Sequence, residues 1–571
     1  MRPLLLLAAA STLFATPPQE FDSYAVITVM VPMRDSTRLA TDIYRPARGG
    51  IALGGRFPVI VTRSPYNKNG ERRKAIQFAQ RGYVFIAQDC RGRFASEGHL
   101  IPLVNEGRDG YDTIEWAAAQ TWSNGKVATT GASYLAMDQL AAALEQPKHL
   151  VAMYIAVGAE NFYFDSAYRG GVPSLGWPVW LLLMAATSPQ AAHDPKTAES
   201  LNNLVKHPAP WFAQSREQRG EVFRNFPDEM TAYKDFYAHP LFDAYWKQKG
   251  FDIADYYAQM KDIPMLFVSG WYDTFADATL ENFTELSRRQ NTPKKLLMGP
   301  WPHGYGKSAC GDAAFGIEAN LDEPALWFDW FDHWLKNKPF TMIPAQPVRY
   351  YRMGGGAGFK EGKLLPGGRW RNSLSWPPTG EKPQRLYLHG EGRLDEAAPG
   401  SEQAQTYIYR PDNPVPTRGG RYNAACIQNQ AGLEKRADVL SFSTTPLNAA
   451  MDITGMIRAT LWISSDAPST DFTAKLMDVY PDGYAMNFAD GQIRASDRDG
   501  FTRSEPLKPG KIYRVEIDLG SASNLVARGH RVRLDISSSN YPKLEPGASE
   551  ARNTLYHDTG HASFVELPVV R

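Results

Sequence analysis

Five short, almost unbroken apolar runs set the rhythm of this chain. Residues 58–62 end at Ser64-Pro65-Tyr66 and residues 83–87 at Asp89-Cys90-Arg91-Gly92. Residues 127–130 end at Gly131-Ala132-Ser133, residues 264–268 at Gly270-Trp271-Tyr272-Asp273, and residues 295–298 at Gly299-Pro300-Trp301-Pro302-His303. Patterns of helical period lie between several of them, at 72–81 and 107–120. Continuous apolar strands alternating with helices predict a parallel sheet buried on both faces, an α/β fold. In such sheets reactive groups gather past the carboxyl ends of the strands. Two more strands, at 26–31 and 39–44, flank the turn Met33-Arg34-Asp35-Ser36.

The rhythm breaks between about 160 and 250, where Trp, Tyr, Phe and Pro are dense and strand patterns are few; an inserted helical cap is expected there. After about 379 the pattern changes to short alternating strands at 385–388, 453–463, 470–477, 491–494, 512–517, 531–537 and 563–570, expected to form a jelly-roll β-sandwich. The expected division is a catalytic core over 22–159 and 255–379, a cap over 160–254 and a β domain over 380–571. Ahead of these, Met1-Arg2-Pro3 and the apolar run to Ala15 read as a signal peptide over about 1–16, too short to span a bilayer. A secreted or periplasmic protein is expected, with no membrane span after the signal is removed.

Composition changes this picture little. The chain has 571 residues, long enough for about three domains. Apolar residues at 43% suit a packed core, and a formal charge of +1 offers no basic stripe for nucleic acid. Cys90, Cys310 and Cys426 lie far apart; one pair could bridge in an oxidising compartment, and their spacing does not choose which. There is no HExxH, no paired CxxC and no P-loop lysine motif, so no metal or organic cofactor is expected. His333 reads as structural, and Asp89 with Arg91 as a structural ion pair.

The chemistry starts at Ser133. A β run ends in Gly131, a small residue and a serine follow, and residues 134–144 are apolar on nearly every face, a buried helix stopped by Pro147. Strand, sharp turn with serine at its tip, buried helix is the arrangement of a nucleophile elbow. The usual G-x-S-x-G is incomplete, since Leu135 stands at the second glycine. With Asp273 and His303, the order Ser…Asp…His is that of an α/β-hydrolase. A serine hydroxyl becomes a useful nucleophile when an imidazole takes its proton and a carboxylate orients that imidazole.

Ser64-Pro65-Tyr66, Gln88-Asp89-x-Arg91-Gly92, Gly131-Ala132-Ser133-Tyr134-Leu135, Gly270-Trp271-Tyr272-Asp273 and Gly299-Pro300-Trp301-Pro302-His303-Gly304 resemble the bacterial cocaine esterase-like acyl hydrolases, relatives of X-Pro dipeptidyl-peptidases and α-amino-acid ester hydrolases. The resemblance runs on through residues 330–335, 436–440, 464–472 and 531–537 and spans nearly the whole mature chain. It implies an α/β-hydrolase core, a cap and a C-terminal jelly roll. It implies Ser133 as nucleophile, Asp273 as orienting acid, His303 as base, and an oxyanion hole made by the Tyr66 hydroxyl and the Tyr134 amide. Phe275 matches an aromatic wall of the acyl pocket, and Trp271 and Trp301 are expected to line the same space. The resemblance also shows a departure. Where amino-acid ester hydrolases carry carboxylates for a substrate ammonium, this chain has Thr274, Phe275 and Ala276, leaving Glu160 or Asp165 as the remaining sources of that charge. The expected function is hydrolysis of acyl esters, with X-Pro dipeptidyl-peptidase-like, β-lactam acylase or α-amino-acid ester hydrolase activity on amides or amino-acid esters as the alternative and a non-catalytic binding protein as a remote one. A homo-oligomer is compatible with the sequence.

Overall fold

The computed structural model describes residues 20–421 and 426–571; the expected signal peptide lies outside them. Ten strands form the first part of the sheet: β1 (Ser23–Pro32), β2 (Arg38–Arg48), β3 (Phe57–Ser64), β4 (Val84–Asp89), β5 (Ser123–Ala132), β6 (Leu150–Ala156), β7 (Met265–Tyr272), β8 (Lys294–Pro302), β9 (Val348–Gly354) and β10 (Gly368–Ser373). They lie in the order β1-β2-β4-β3-β5-β6-β7-β8-β9-β10. Strands β4 to β9 are parallel; β1, β2 and β10 pair antiparallel at the two ends. This is the α/β-hydrolase sheet. Its central strands are largely buried because helices cover both faces: α1 (Arg72–Ala79), α2 (Glu106–Ala118), α3 (Tyr134–Leu144), α7 (Ala276–Arg289) and α8 (Glu323–Lys336). Every residue of α3 is buried, as its all-round apolar pattern demands.

Between β6 and β7 the chain is mostly helical, with α4 (Gly176–Ala186), α5 (Pro195–Lys206) and α6 (Pro227–Ala238) as its longest helices. Helix α4 is tied to the core by the buried Arg93, whose guanidinium donates to the Met184 carbonyl (3.1 Å) and Thr187 Oγ1 (2.7 Å). The C-terminal part is β-rich. One sheet carries β11 (Glu381–Leu388), β12 (Gln405–Tyr409), β14 (Met451–Ser465), β17 (Tyr513–Val526), β19 (Ala551–Asp558) and β20 (Phe564–Val570). A second holds β13 (Leu440–Ser443), β18 (Arg531–Ser537), β15 (Asp471–Val479) and β16 (Ala485–Arg494), in that order. Strand β17 also pairs with β9, Met353 opposite Asn524 and Gly354 opposite Leu525, so the β region is hydrogen-bonded into the catalytic sheet. Cys310 and Cys426 are bridged and Cys90 is a buried free thiol.

One sequence expectation needs correction here. Arg91 does not pair with Asp89; it forms ion pairs with Asp109 (2.6 Å) and Asp35 (2.7 Å), while Asp89 accepts the Lys68 amide (2.7 Å). Strand geometry turns neighbours i and i+2 in different directions once the strand has ended, so spacing alone misled. His333 is structural as expected, stacked on Phe340 and bonded to the Lys338 carbonyl.

Candidate active site

Ser133, Asp273 and His303 are each the first residue past a strand, at the ends of β5, β7 and β8. Ser133 has φ 62° and ψ −123°, a conformation that costs a non-glycine residue energy and lifts its side chain off the sheet edge. The turn is tight enough that a Cβ at Gly131 would run into Leu135, which is why glycine stands there. A Cβ at Gly158 would press on the Ala136 side chain from the adjacent loop. The small residue needed on the helix has shifted from position 135 to 136.

The three side chains meet. His303 Nε2 lies 2.9 Å from Ser133 Oγ and His303 Nδ1 lies 2.8 Å from Asp273 Oδ1. Asp273 is fully buried and held on both oxygens: Ser269 Oγ donates to Oδ2 (2.7 Å) and the Phe275 amide to Oδ1 (3.2 Å). Burial pulls the His303 pKa down, but the charge and hydrogen bond of Asp273 outweigh it and leave the imidazole above its ordinary 6.5. The carboxylate therefore favours the tautomer with its proton on Nδ1 and leaves Nε2 as acceptor.

Tyr66 stands two residues beyond β3, with its ring edge-on to Tyr134. Its oxygen accepts from Trp180 Nε1 (2.9 Å) on α4. Burial pushes the phenol up to about 12, against the hydrogen bond from Trp180, so it stays protonated and able to donate. Trp180 in turn stacks on Tyr134 and Trp177. The Tyr134 amide is at the first turn of α3, where no upstream carbonyl is available to it. The Tyr134 hydroxyl donates to Glu106 (2.9 Å) and accepts the Leu103 amide (2.9 Å), and Glu106 is paired to the buried Arg63 (2.7 Å). Ser269 and Trp180 were not anticipated from sequence. Ser269 lies four residues before Asp273 on a strand with no polar signal around it, and Trp180 lies on a helix too uniformly apolar to show a face.

A cavity of about 200 Å³ opens on Ser133, Tyr66 and His303. Phe275 lines it, edge-on to the His303 ring. Trp271 and Trp301 do not. Both are fully buried core residues whose indole N–H groups bond the Tyr351 (2.6 Å) and Ala319 (2.7 Å) carbonyls. Glu160 and Asp165 are also absent from the wall. The Glu160 carboxylate accepts the Tyr257 hydroxyl (2.7 Å), and Asp165 Oδ2 accepts the Glu160 and Asn161 amides (2.9 Å each). Behind the elbow, Cys90, Glu106 and Asp138 converge within 4.8 Å. Burial pushes both the Cys90 thiol and the Asp138 carboxyl well above their usual values, and Arg63 answers the Glu106 charge. Protonated groups beside a guanidinium suit a structural cluster better than a cation ligand set.

The sheet order and the strand-end serine, histidine and aspartate define an α/β-hydrolase of the serine type. Residues 35–305 match the family model described as X-Pro dipeptidyl-peptidase (S15 family), and residues 344–566 match the X-Pro dipeptidyl-peptidase C-terminal non-catalytic domain. The chain is 30% identical to cocaine esterase of Rhodococcus sp. (strain MB1 Bresler), over 96% of its own length and 99% of that protein. It belongs to the cocaine esterase-like family of serine hydrolases. A putative serine esterase of Mycobacterium tuberculosis is 25% identical, with 95% of each chain covered. In fold it is similar to a solved α-amino acid ester hydrolase, with TM-score 0.78, 21% identity and 99% and 100% of the two chains covered.

Proposed function

We propose that this enzyme hydrolyses small acyl esters through an acyl-enzyme formed on Ser133. The observation that carries the reading is the unbroken relay Asp273–His303–Ser133 at three neighbouring strand ends. Ser133 Oγ attacks the ester carbonyl carbon while His303 Nε2 takes its proton. The carbonyl oxygen becomes an oxyanion that accepts from the Tyr66 hydroxyl and the Tyr134 amide. Collapse expels the alcohol, which receives the proton from His303. Water then attacks the acyl-enzyme, giving its proton to His303, and Ser133 leaves with that proton. Asp273 stays ionised throughout and stabilises the imidazolium.

Cleavage behind a free amino terminus, as in X-Pro dipeptidyl-peptidases or amino-acid ester hydrolases, calls for an anion facing the substrate ammonium. Among the described residues the cavity wall holds none, which favours esters without that group. We read the β-rich C-terminal region as the family's jelly roll. Export follows as part of the reading, supported by the apolar run at residues 4–15 and the Cys310–Cys426 bridge, since such bridges persist in oxidising compartments.

The test is labelling and turnover together. A fluorophosphonate is expected to label the wild-type protein and not Ser133→Ala, and 4-nitrophenyl butyrate to be cleaved far faster than Gly-Pro-4-nitroanilide. An unlabelled Ser133 would make the protein a non-catalytic binder. Preference for the anilide would make it a peptidase.

A further inference from the structure

Three basic side chains and no carboxylate line the cavity: Arg169, Arg421 and Lys543. They come from distant parts of the chain. Two of them are neutralised from behind, Arg421 by Asp277 and Lys543 by Asp490. Arg169 is different. It makes no ion pair among the described residues; its Nη2 alone is engaged, by the Asp165 carbonyl, the Thr274 carbonyl (2.9 Å) and Thr274 Oγ1 (2.6 Å). Among the described residues its Nε and Nη1 have no hydrogen-bond partner, neither is sealed from solvent, and the side chain lines the cavity. Arg169 is half-buried, and the Asp165, Asp490 and Asp277 charges act on it from behind without a direct ion pair, so its free edge remains able to meet an anion in the cavity.

The anchor is also rigid. Arg169 sits on a two-residue strand paired to Val172–Pro173, with Gly170 and Gly171 in left-handed conformations at the turn. A Cβ at Gly170 would collide with the Gln492 carbonyl, and the Gly170 carbonyl accepts the Arg494 amide (2.7 Å), so the hairpin is clamped against β16. Contact with Thr274, the residue after Asp273, ties the guanidinium to the catalytic end of β7. The planar fork of an arginine suits a carboxylate better than any neutral group. The cavity is smaller than the several hundred cubic ångströms usual for drug-sized ligands, so the acid that fills it is short.

We infer that the preferred substrates are short esters bearing a carboxylate of their own, held by Arg169 with Lys543 and Arg421 alongside. This rests on the esterase reading above. The carboxylate could belong to the acyl group or to the alcohol, and two matched pairs separate these. Monoethyl glutarate is compared with ethyl pentanoate, and carboxymethyl butyrate with propyl butyrate, by acid release at constant pH. In the wild type, one charged ester is expected to exceed its neutral partner in kcat/KM by about tenfold or more. In Arg169→Gln that ratio is expected to fall by about 10- to 100-fold, the weight of a charged hydrogen bond, with Arg169→Lys between the two. Because Arg169 also braces Thr274, a variant could lose its fold, and the wild-type comparison then decides alone. Neutral esters cleaved as fast as both charged ones would overturn the inference while leaving the esterase reading intact. So would a charged-to-neutral ratio unchanged in folded Arg169→Gln. No cleavage of any ester, with Ser133 unlabelled, would instead remove the esterase reading itself.

Discussion

Replacing Tyr66 with phenylalanine tests the oxyanion hole at a single atom. The Tyr66 oxygen already accepts from Trp180 Nε1, so its own proton is left for the cavity, and burial holds the phenol protonated up to about pH 12. In the proposed mechanism Tyr66→Phe deletes one of two donors to the developing oxyanion and leaves the ring in place. One such donor is worth about 10²–10³ in kcat, or roughly 3–4 kcal/mol of transition-state stabilisation. The structural cost is smaller: Trp180 loses its acceptor, a neutral hydrogen bond worth about 1 kcal/mol. Trp180→Phe is the matching control. It keeps the donor and removes its brace, along with part of the stacking on Tyr134 and Trp177, so kcat is expected to fall by about fivefold, the order of that bond. The assay is kcat on 4-nitrophenyl butyrate, with active sites counted by fluorophosphonate titration so that unfolded protein is not scored as slow enzyme. KM is expected to change little, because the donor acts in the transition state. A folded Tyr66→Phe enzyme within about threefold of wild-type kcat would place the second donor elsewhere and refute the assignment.

Other outcomes follow from the same geometry. The acid limb of kcat/KM is expected above pH 6.5, because the Asp273 charge raises His303 and activity is lost as pH falls through that pKa. The linked stability has the opposite sign. A raised histidine pKa contributes stability below the unfolded value that is lost as pH rises through the folded one. Asp273→Asn leaves burial unopposed, so the limb is expected to move to lower pH while kcat drops about 10⁴-fold, both read from a pH–rate profile. Arg63→Met strands the buried Glu106, while Asp109 keeps its pair with Arg91, and is expected to cost about 3–5 kcal/mol in urea denaturation. Replacing Cys310 and Cys426 together by serine opens a link across 116 residues and is expected to cost about 2–4 kcal/mol in the same assay.

The parallel strands were legible because burial on both faces forces continuous apolar runs, and the three side chains that meet at the strand ends were legible because each follows such a run by a few positions. Strand β6 was not seen. Its sequence Leu-Val-Ala-Met-Tyr-Ile-Ala follows α3 after a short link, and two apolar stretches so close merge in a reading by hydrophobicity. Trp271 and Trp301 misled because nearness along the chain to Asp273 and His303 suggested nearness in space. Trp301 instead fills room left by Gly270 and Gly299, where any Cβ would meet it. The wall of the cavity was least legible. Trp180, Arg169, Arg421 and Lys543 come from the cap and the β region, and no local pattern ties residues so far apart.

The pairing of β17 with β9 fixes the far β region to the catalytic sheet, and that region contributes Arg421 and Lys543 to the space above Ser133. On the proposed reading, chemistry and selectivity are written on different stretches of one polypeptide. Substitutions beyond residue 380 can redraw which molecules are admitted while the proton relay stays untouched, so a lineage built on this scaffold can change diet without relearning how to cut.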